Sequence, residues 1–200
     1  MAERERRAQK DRTREAILAG ARELLFEGKP VTVTAAAAQV GISKATAYRY
    51  FRDPAALAVE SGLAIRVAPL EEILDGAETL REQLLAINLY FFDFAMENEA
   101  GFRQFLASSV TAALANPPQK VARRGARRIE MYKSVLQAEG HNTDDPRAIR
   151  FCAALATATG IEAMIALVDI AGLEPREARL VVKEMTNALI DNFMKPTGSE

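Results

Sequence analysis

Two hundred residues, 49% of them hydrophobic and 26% charged, are enough to bury a core. A formal net charge of −1 excludes a chain driven as a whole onto polyanions or an anionic membrane. One cysteine, Cys152, and one histidine, His141, exclude an intrachain disulfide and any Cys/His metal cluster.

The charge is unevenly placed. Residues 1–60 hold eleven Lys/Arg against eight Asp/Glu, and residues 61–200 hold fifteen against nineteen. The first segment, MAERERRAQKDRTREA, is basic and lacks the apolar core of a secretory signal, and the single cysteine fits a reducing compartment, so a cytoplasmic protein is expected. The apolar spacing is helical throughout, which predicts an all-α chain of about nine helices. TREAILAGARELLFEGK places Ile17, Gly20, Ala21, Leu24 and Leu25 on one face and stops at Gly28. TVTAAAAQVG is a short helix opened by Thr32 or Thr34 and closed by Gly41. Ser43 is the expected N-cap of a further helix reaching Phe51, and Asp53-Pro54 starts the next.

Beyond Pro69 the helices lengthen. Leu80, Leu84, Ile87, Phe91 and Phe94 step by three and four. GFRQFLASSVTAALAN follows and ends at Pro117-Pro118. Val121, Gly125, Ile129, Tyr132 and Leu136 mark the next stripe, and Asp145-Pro146 opens another helix. The run Phe151–Ile170 is long enough to span a bilayer, but Glu162 in its middle would cost roughly 2.5–3.5 kcal/mol there. We therefore expect a protein-buried helix and no membrane partner. The last helix, about Pro175 to Met194, is expected to turn Ala178, Val181, Val182, Met185, Leu189 and Phe193 inward, before a disordered tail at 196–200.

GISKATAYRYF, residues 41–51, carries the most chemistry. Two short helices separated by a glycine-containing turn form a helix-turn-helix arrangement, whose second helix enters the DNA major groove. Lys44 can reach guanine O6 and N7, and Ser43 and Thr46 can donate to bases or phosphates. Ala45 permits close approach. Tyr48 and Tyr50 can present hydroxyls to phosphates, while Arg49, Arg52 and the basic N-terminal arm add charge neutralisation. Phe51 and one of the tyrosines are expected in the core.

Residues 31–57, VTVTAAAAQVGISKATAYRYFRDPAAL, resemble the helix-turn-helix of the tetracycline-repressor (TetR) family of bacterial transcription regulators, and the likeness extends over about residues 12–60. The resemblance implies that Thr32, Thr34, Ser43, Lys44, Ala45, Thr46, Tyr48 and Tyr50 are DNA-contact positions. Ala45 stands where the family usually has glycine. Pro54 stands where a phosphate-binding lysine is frequent, a contact that Arg49 or Arg52 would have to replace. The implied organisation is a three-helix DNA-binding domain at 1–53 and a larger helical effector-binding and dimerisation domain at 54–195.

The apolar run and the amphipathic last helix leave more apolar surface than a monomer usually exposes. Pairing them across a two-fold axis gives a homodimer, with Leu155, Thr159, Glu162, Ala163, Met185 and Leu189 as candidate interface residues. Such a dimer carries two reading helices for a palindromic double-stranded operator. Asn88, Phe91, Phe92, Phe102 and Arg103 are candidates to line a site for an unidentified small-molecule effector, an apolar mix with a few orienting polar groups. The ARRGARRIE run, with Arg123, Arg124, Arg127 and Arg128, reads as a solvated helix flank, and Cys152 as a small core residue. No phosphate loop, nucleophile elbow or metal-ligand pair is present in the sequence, so neither catalysis nor a cofactor is expected. The expected function is a ligand-responsive repressor; the alternative is a helical ligand-binding or protein-interaction dimer that reads no DNA sequence.

Overall fold

The computed structural model describes residues 2–63, 65–115 and 126–195. Regular structure among them is helical throughout. The α-helices are α1 (Ala2–Phe26), α2 (Val33–Gln39), α3 (Lys44–Tyr48), α4 (Pro54–Leu63), α5 (Leu70–Ile73), α6 (Leu80–Glu97), α7 (Glu99–Ala115), α8 (Ala126–Ala138), α9 (Pro146–Thr157), α10 (Gly160–Met164) and α11 (Pro175–Met194). A π-helical turn, Ile165–Ile170, follows α10. The chain divides into two compact units, residues 1–66 with 98–122 and residues 67–97 with 123–200.

In the first unit α1 packs on α2, α4 and α7, and α4 also packs on α7. The α1 stripe Ile17, Leu18, Ala21, Leu24 and Leu25 is buried at the spacing a helix face requires. It meets Val33, Ala36 and Ala37 of α2, Ala47 of α3, and Phe51, Leu57 and Ala58. Gly20 lets α2 come close: a Cβ there would lie 2.4 Å from the Ala36 carbonyl oxygen. Arg14 pairs with Glu60 at 2.5 Å, joining α1 to α4, but both side chains are about 40% exposed, so the pair adds little stability.

In the second unit α6 is central and packs against α8, α10 and α11. Its buried face carries Leu84, Ile87, Phe91 and Phe92, with Asn88 fully buried among them. The Asn88 amide donates to Thr186 Oγ1 at 2.9 Å and to the Leu155 carbonyl at 3.3 Å, and Oδ1 accepts the Tyr132 hydroxyl. Thr159 Oγ1 donates to the Asn88 carbonyl. One asparagine thus cross-links four helices and the link after α9, and its burial is tolerated because its polar atoms are satisfied. Burial also pushes the Tyr132 phenol well above its ordinary range. The Cys152 thiol is buried and raised for the same reason.

Besides ending α3 at Tyr48 rather than at the expected Phe51, the structure corrects the sequence reading in three places. The expected single helix over Phe151–Ile170 is broken into α9 and α10, bent by 55°. Thr159 is extended and Gly160 has φ +76, a left-handed conformation suited to glycine. Arg128, expected on a solvated flank, is folded into this break with only 12% of its side chain exposed. Its Nη1 donates to the Thr159 carbonyl at 3.1 Å, its guanidinium lies 5.8 Å from the Phe91 ring centroid, and Nη2 is 3.6 Å from Glu162. Arg127 is exposed; Val121, Arg123, Arg124, Gly125 and the tail at 196–200 lie outside the described residues.

The third correction concerns α11. Its buried stripe is Ala178, Val182, Thr186 and Ile190; Val181, Leu189 and Phe193 are half-buried, and Met185 is exposed. Thr186 conceals this stripe in the sequence because a threonine on a core face reads as polar until its partner, Asn88, is known. Among the described residues no single helix is long and apolar enough to cross a membrane.

Candidate nucleic-acid interface

The α2–turn–α3 segment is built from local hydrogen bonds. Thr32 caps α2, its side chain accepting the Ala35 N–H at 3.0 Å. At the other end Gly41 has φ +66, its N–H reaches the Ala38 carbonyl at 3.2 Å, and the Ile42 N–H reaches Ala37 at 2.9 Å. This pair of bonds is a Schellman closure, and glycine is favoured at its left-handed position. Ser43 then caps α3, accepting the Thr46 N–H at 3.2 Å while its hydroxyl donates to Thr46 Oγ1 at 2.9 Å. Asp53 accepts the Ala55 N–H at 2.9 Å, starting α4 at Pro54.

Only Ala47 of α3 is buried. It anchors a helix whose other side chains are left at the surface. Lys44, Ala45, Tyr48 and Arg49 are exposed, as are Thr32 and Thr34 on α2, Ser43 in the turn and Arg52 beyond α3; Thr46 and Tyr50 are half-buried. Phe51 is in the core, and Tyr50 is the tyrosine that packs against it. The Lys44 ammonium rests 5.9 Å from the centroid of the Tyr48 ring. The fold therefore gathers all ten residues expected at a DNA interface into one unit.

Three residues that sequence reasoning did not single out join them. Arg6, Gln9 and Lys10, with Arg49 and Tyr50, line a recess of about 380 Å³. Their signal was the three- and four-residue spacing on one helix face, which becomes legible only if α1 runs as a helix from its basic start.

The remaining candidates are divided between the units. Asn88, Phe91 and Phe92 are buried in the second, with both Asn88 amide donor bonds already made. Phe102 and Arg103 belong to the first, where Arg103 pairs with Glu99 at 2.7 Å. Of the expected interface residues, Leu155, Thr159 and Ala163 are buried inside the subunit, Glu162 and Leu189 are half-buried, and Met185 is exposed. No cluster of His, Cys, Asp or Glu suited to a metal occurs among the described residues.

Among solved structures, the chain is similar to the crystal structure of a TetR transcriptional regulator from Rhodococcus sp. RHA1. The TM-score is 0.61 at 18% sequence identity, over 92% of this chain and 98% of that one. The chain has the fold of a TetR transcriptional regulator. No family model and no curated protein matches the sequence. The likeness is thus one of architecture, carried by the order and packing of helices. In this TetR-type fold α3 is the short helix whose exposed side chains face solvent.

Proposed function

We propose that the chain is a cytoplasmic, sequence-specific DNA-binding transcriptional regulator, a ligand-responsive repressor acting as a homodimer on a palindromic operator. One observation carries the reading: α3 is held by a single buried alanine, and its cap and turn leave Lys44, Ala45, Tyr48 and Arg49 outward. A helix of this kind contributes almost nothing to a core, whereas a major groove accepts it. Thr32, Thr34 and Ser43 at the leading ends of α2 and α3 serve as phosphate or base contacts beside Lys44 and Thr46.

The half-buried Val181 and Leu189 and the exposed Met185 on α11, Leu189 sharing a surface recess with Ala154 of α9, support pairing with a second copy. The effector site lies in the larger domain, around the aromatic residues of α6. An effector that binds one of two states better than the other shifts operator affinity by that ratio.

The test is selection of bound duplexes from a random-sequence library by the intact chain, followed by binding at several salt concentrations. An inverted repeat bound in preference to the unselected pool is the expected result. Equal binding to every duplex, or none, overturns the reading.

A further inference from the structure

We propose that the recess between the start of α9 and the end of α11 binds an aliphatic carboxylate, its anionic head on Arg150 and its chain along Leu189 and Ala154. The recess has a volume of about 350 Å³. Arg147, Arg150 and the Asn192 side chain supply its polar groups, and Phe151, Ala154, Leu189 and Phe193 its apolar surface. Among the described residues no carboxylate and no residue of α6 lines it, so it is separate from the effector site proposed around the α6 aromatics. It needs no DNA reading by α3. Cationic groups beside an apolar wall match a ligand with an anionic end and a hydrocarbon body.

The two arginines have different duties. Arg147 holds the fold: its Nη2 donates to the Phe193 and Lys195 carbonyls at 2.7 Å each and to Asn192 at 3.3 Å, closing the end of α11. Arg150 has no such duty. It is exposed and makes no hydrogen bond or ion pair among the described residues, and the Asn192 side-chain amide makes none either. Near the start of α9 a cation gains nothing from the helix dipole, which favours anions there. Asp145, the acid at that end, has Oδ1 taken by the Arg147 N–H at 2.6 Å and lines a smaller, neighbouring recess. A bound carboxylate gives the Arg150 fork a bidentate partner and the Asn192 amide an acceptor.

The wall selects the body of the ligand. Phe193 is stacked on Phe151 with ring centroids 4.1 Å apart and 3° between planes, and the Arg147 guanidinium lies over the same ring at 5.2 Å. A flat aromatic ligand therefore finds no free face of Phe193 on which to stack. Leu189 and Ala154 are half-buried and offer methyl surface, which suits a flexible hydrocarbon chain. Val181 and Met185, the rest of the proposed pairing surface on α11, do not line the recess, so the site borders that surface and is not filled by it.

The test is titration of the intact chain with octanoate, followed by calorimetry, alongside octan-1-ol, butyrate and inorganic phosphate. Octanoate is expected to bind saturably, one per chain, below about 10 mM. Octan-1-ol is expected to bind at least about tenfold more weakly, and each methylene from butyrate to octanoate to raise affinity up to about fourfold. Arg150→Ala removes the head contact and Ala154→Leu fills the recess; each is expected to weaken octanoate about tenfold. Arg176→Ala removes equal charge from an exposed position on α11 outside the lining and is expected to leave affinity within about twofold. Thermal unfolding confirms that each variant is folded.

Absence of saturable binding overturns the proposal. So does octanoate binding that Arg150→Ala and Ala154→Leu leave unchanged, or that Arg176→Ala weakens equally. Phosphate or butyrate binding as tightly as octanoate reduces the site to a surface cation and overturns the role of the wall. Binding that vanishes as the chain is concentrated and returns on dilution assigns the recess to a second copy, which also overturns it.

Discussion

Lys44 stands on α3 with its ammonium over the Tyr48 ring, an exposed cation–π contact that contributes about 0.5–1 kcal/mol. A well-aligned contact to a guanine edge contributes about 1–3 kcal/mol, so Lys44 can leave the ring when a base is offered. Lys44→Ala is expected to cost about 1–3 kcal/mol on the selected duplex and to relax preference at one base pair, read by competition with single-base variants. Tyr48→Phe is expected to weaken all duplexes alike. Tyr132 supports a different experiment. Burial raises its folded-state pKa above that of an exposed tyrosine, so the folded chain keeps a proton that the unfolded chain loses. This contribution is complete below the ordinary tyrosine pKa of about 10 and fades as pH rises beyond it, at up to about 1.4 kcal/mol per pH unit. Urea midpoints between pH 8 and 11 should fall less steeply in Tyr132→Phe, even though that variant starts lower because the Asn88 Oδ1 acceptor is left unpaired.

At the scale of elements, α3 is too short to be stable alone, since helices under about twelve residues are marginal in water. Its persistence depends on the Ser43 cap, the Schellman closure at Gly41 and the burial of Ala47. The α9–α10 break depends on Gly160 in the same local way but is completed by Arg128, which comes from α8. Gly160→Ala is expected to lower stability by at least about 1–3 kcal/mol, because a Cβ meets Arg128 Nη1 at 1.9 Å and alanine resists φ +76. Thermal unfolding measures the loss. Adding Arg128→Ala removes the clash but leaves the backbone strain, so the double variant should not return to the starting midpoint.

At the scale of the whole molecule, the proposed function needs two reading helices on one operator. In the proposed homodimer the exposed side of α11 would be the pairing surface, because Met185 and Leu189 lie outside the buried Ala178–Ile190 stripe. Met185→Glu with Leu189→Glu is expected to give monomers in sedimentation equilibrium and to abolish preference for inverted repeats over half-sites. The fold is expected to remain, since neither residue belongs to the fully buried set. A dimer that survives both charges would place the contact elsewhere.

By itself the sequence determined the features that depend on neighbours within a turn or two. These are the helical periodicity, the Ser43 cap, the Asp145 carboxylate on the Arg147 N–H, the Gly41 turn, and the residue types displayed on α3. Tertiary structure decided what depends on partners far along the chain. Arg128 became a buried brace because Thr159, 31 residues later, offers it a carbonyl. Thr186 became a core residue because Asn88, 98 residues earlier, satisfies it. Arg6 and Lys10 became neighbours of Arg49 only once α1 had folded against α2. Local hydrogen bonds and periodicity are written in adjacent residues; the burial of a polar group is not, because its cost depends on whichever partner the fold brings to it.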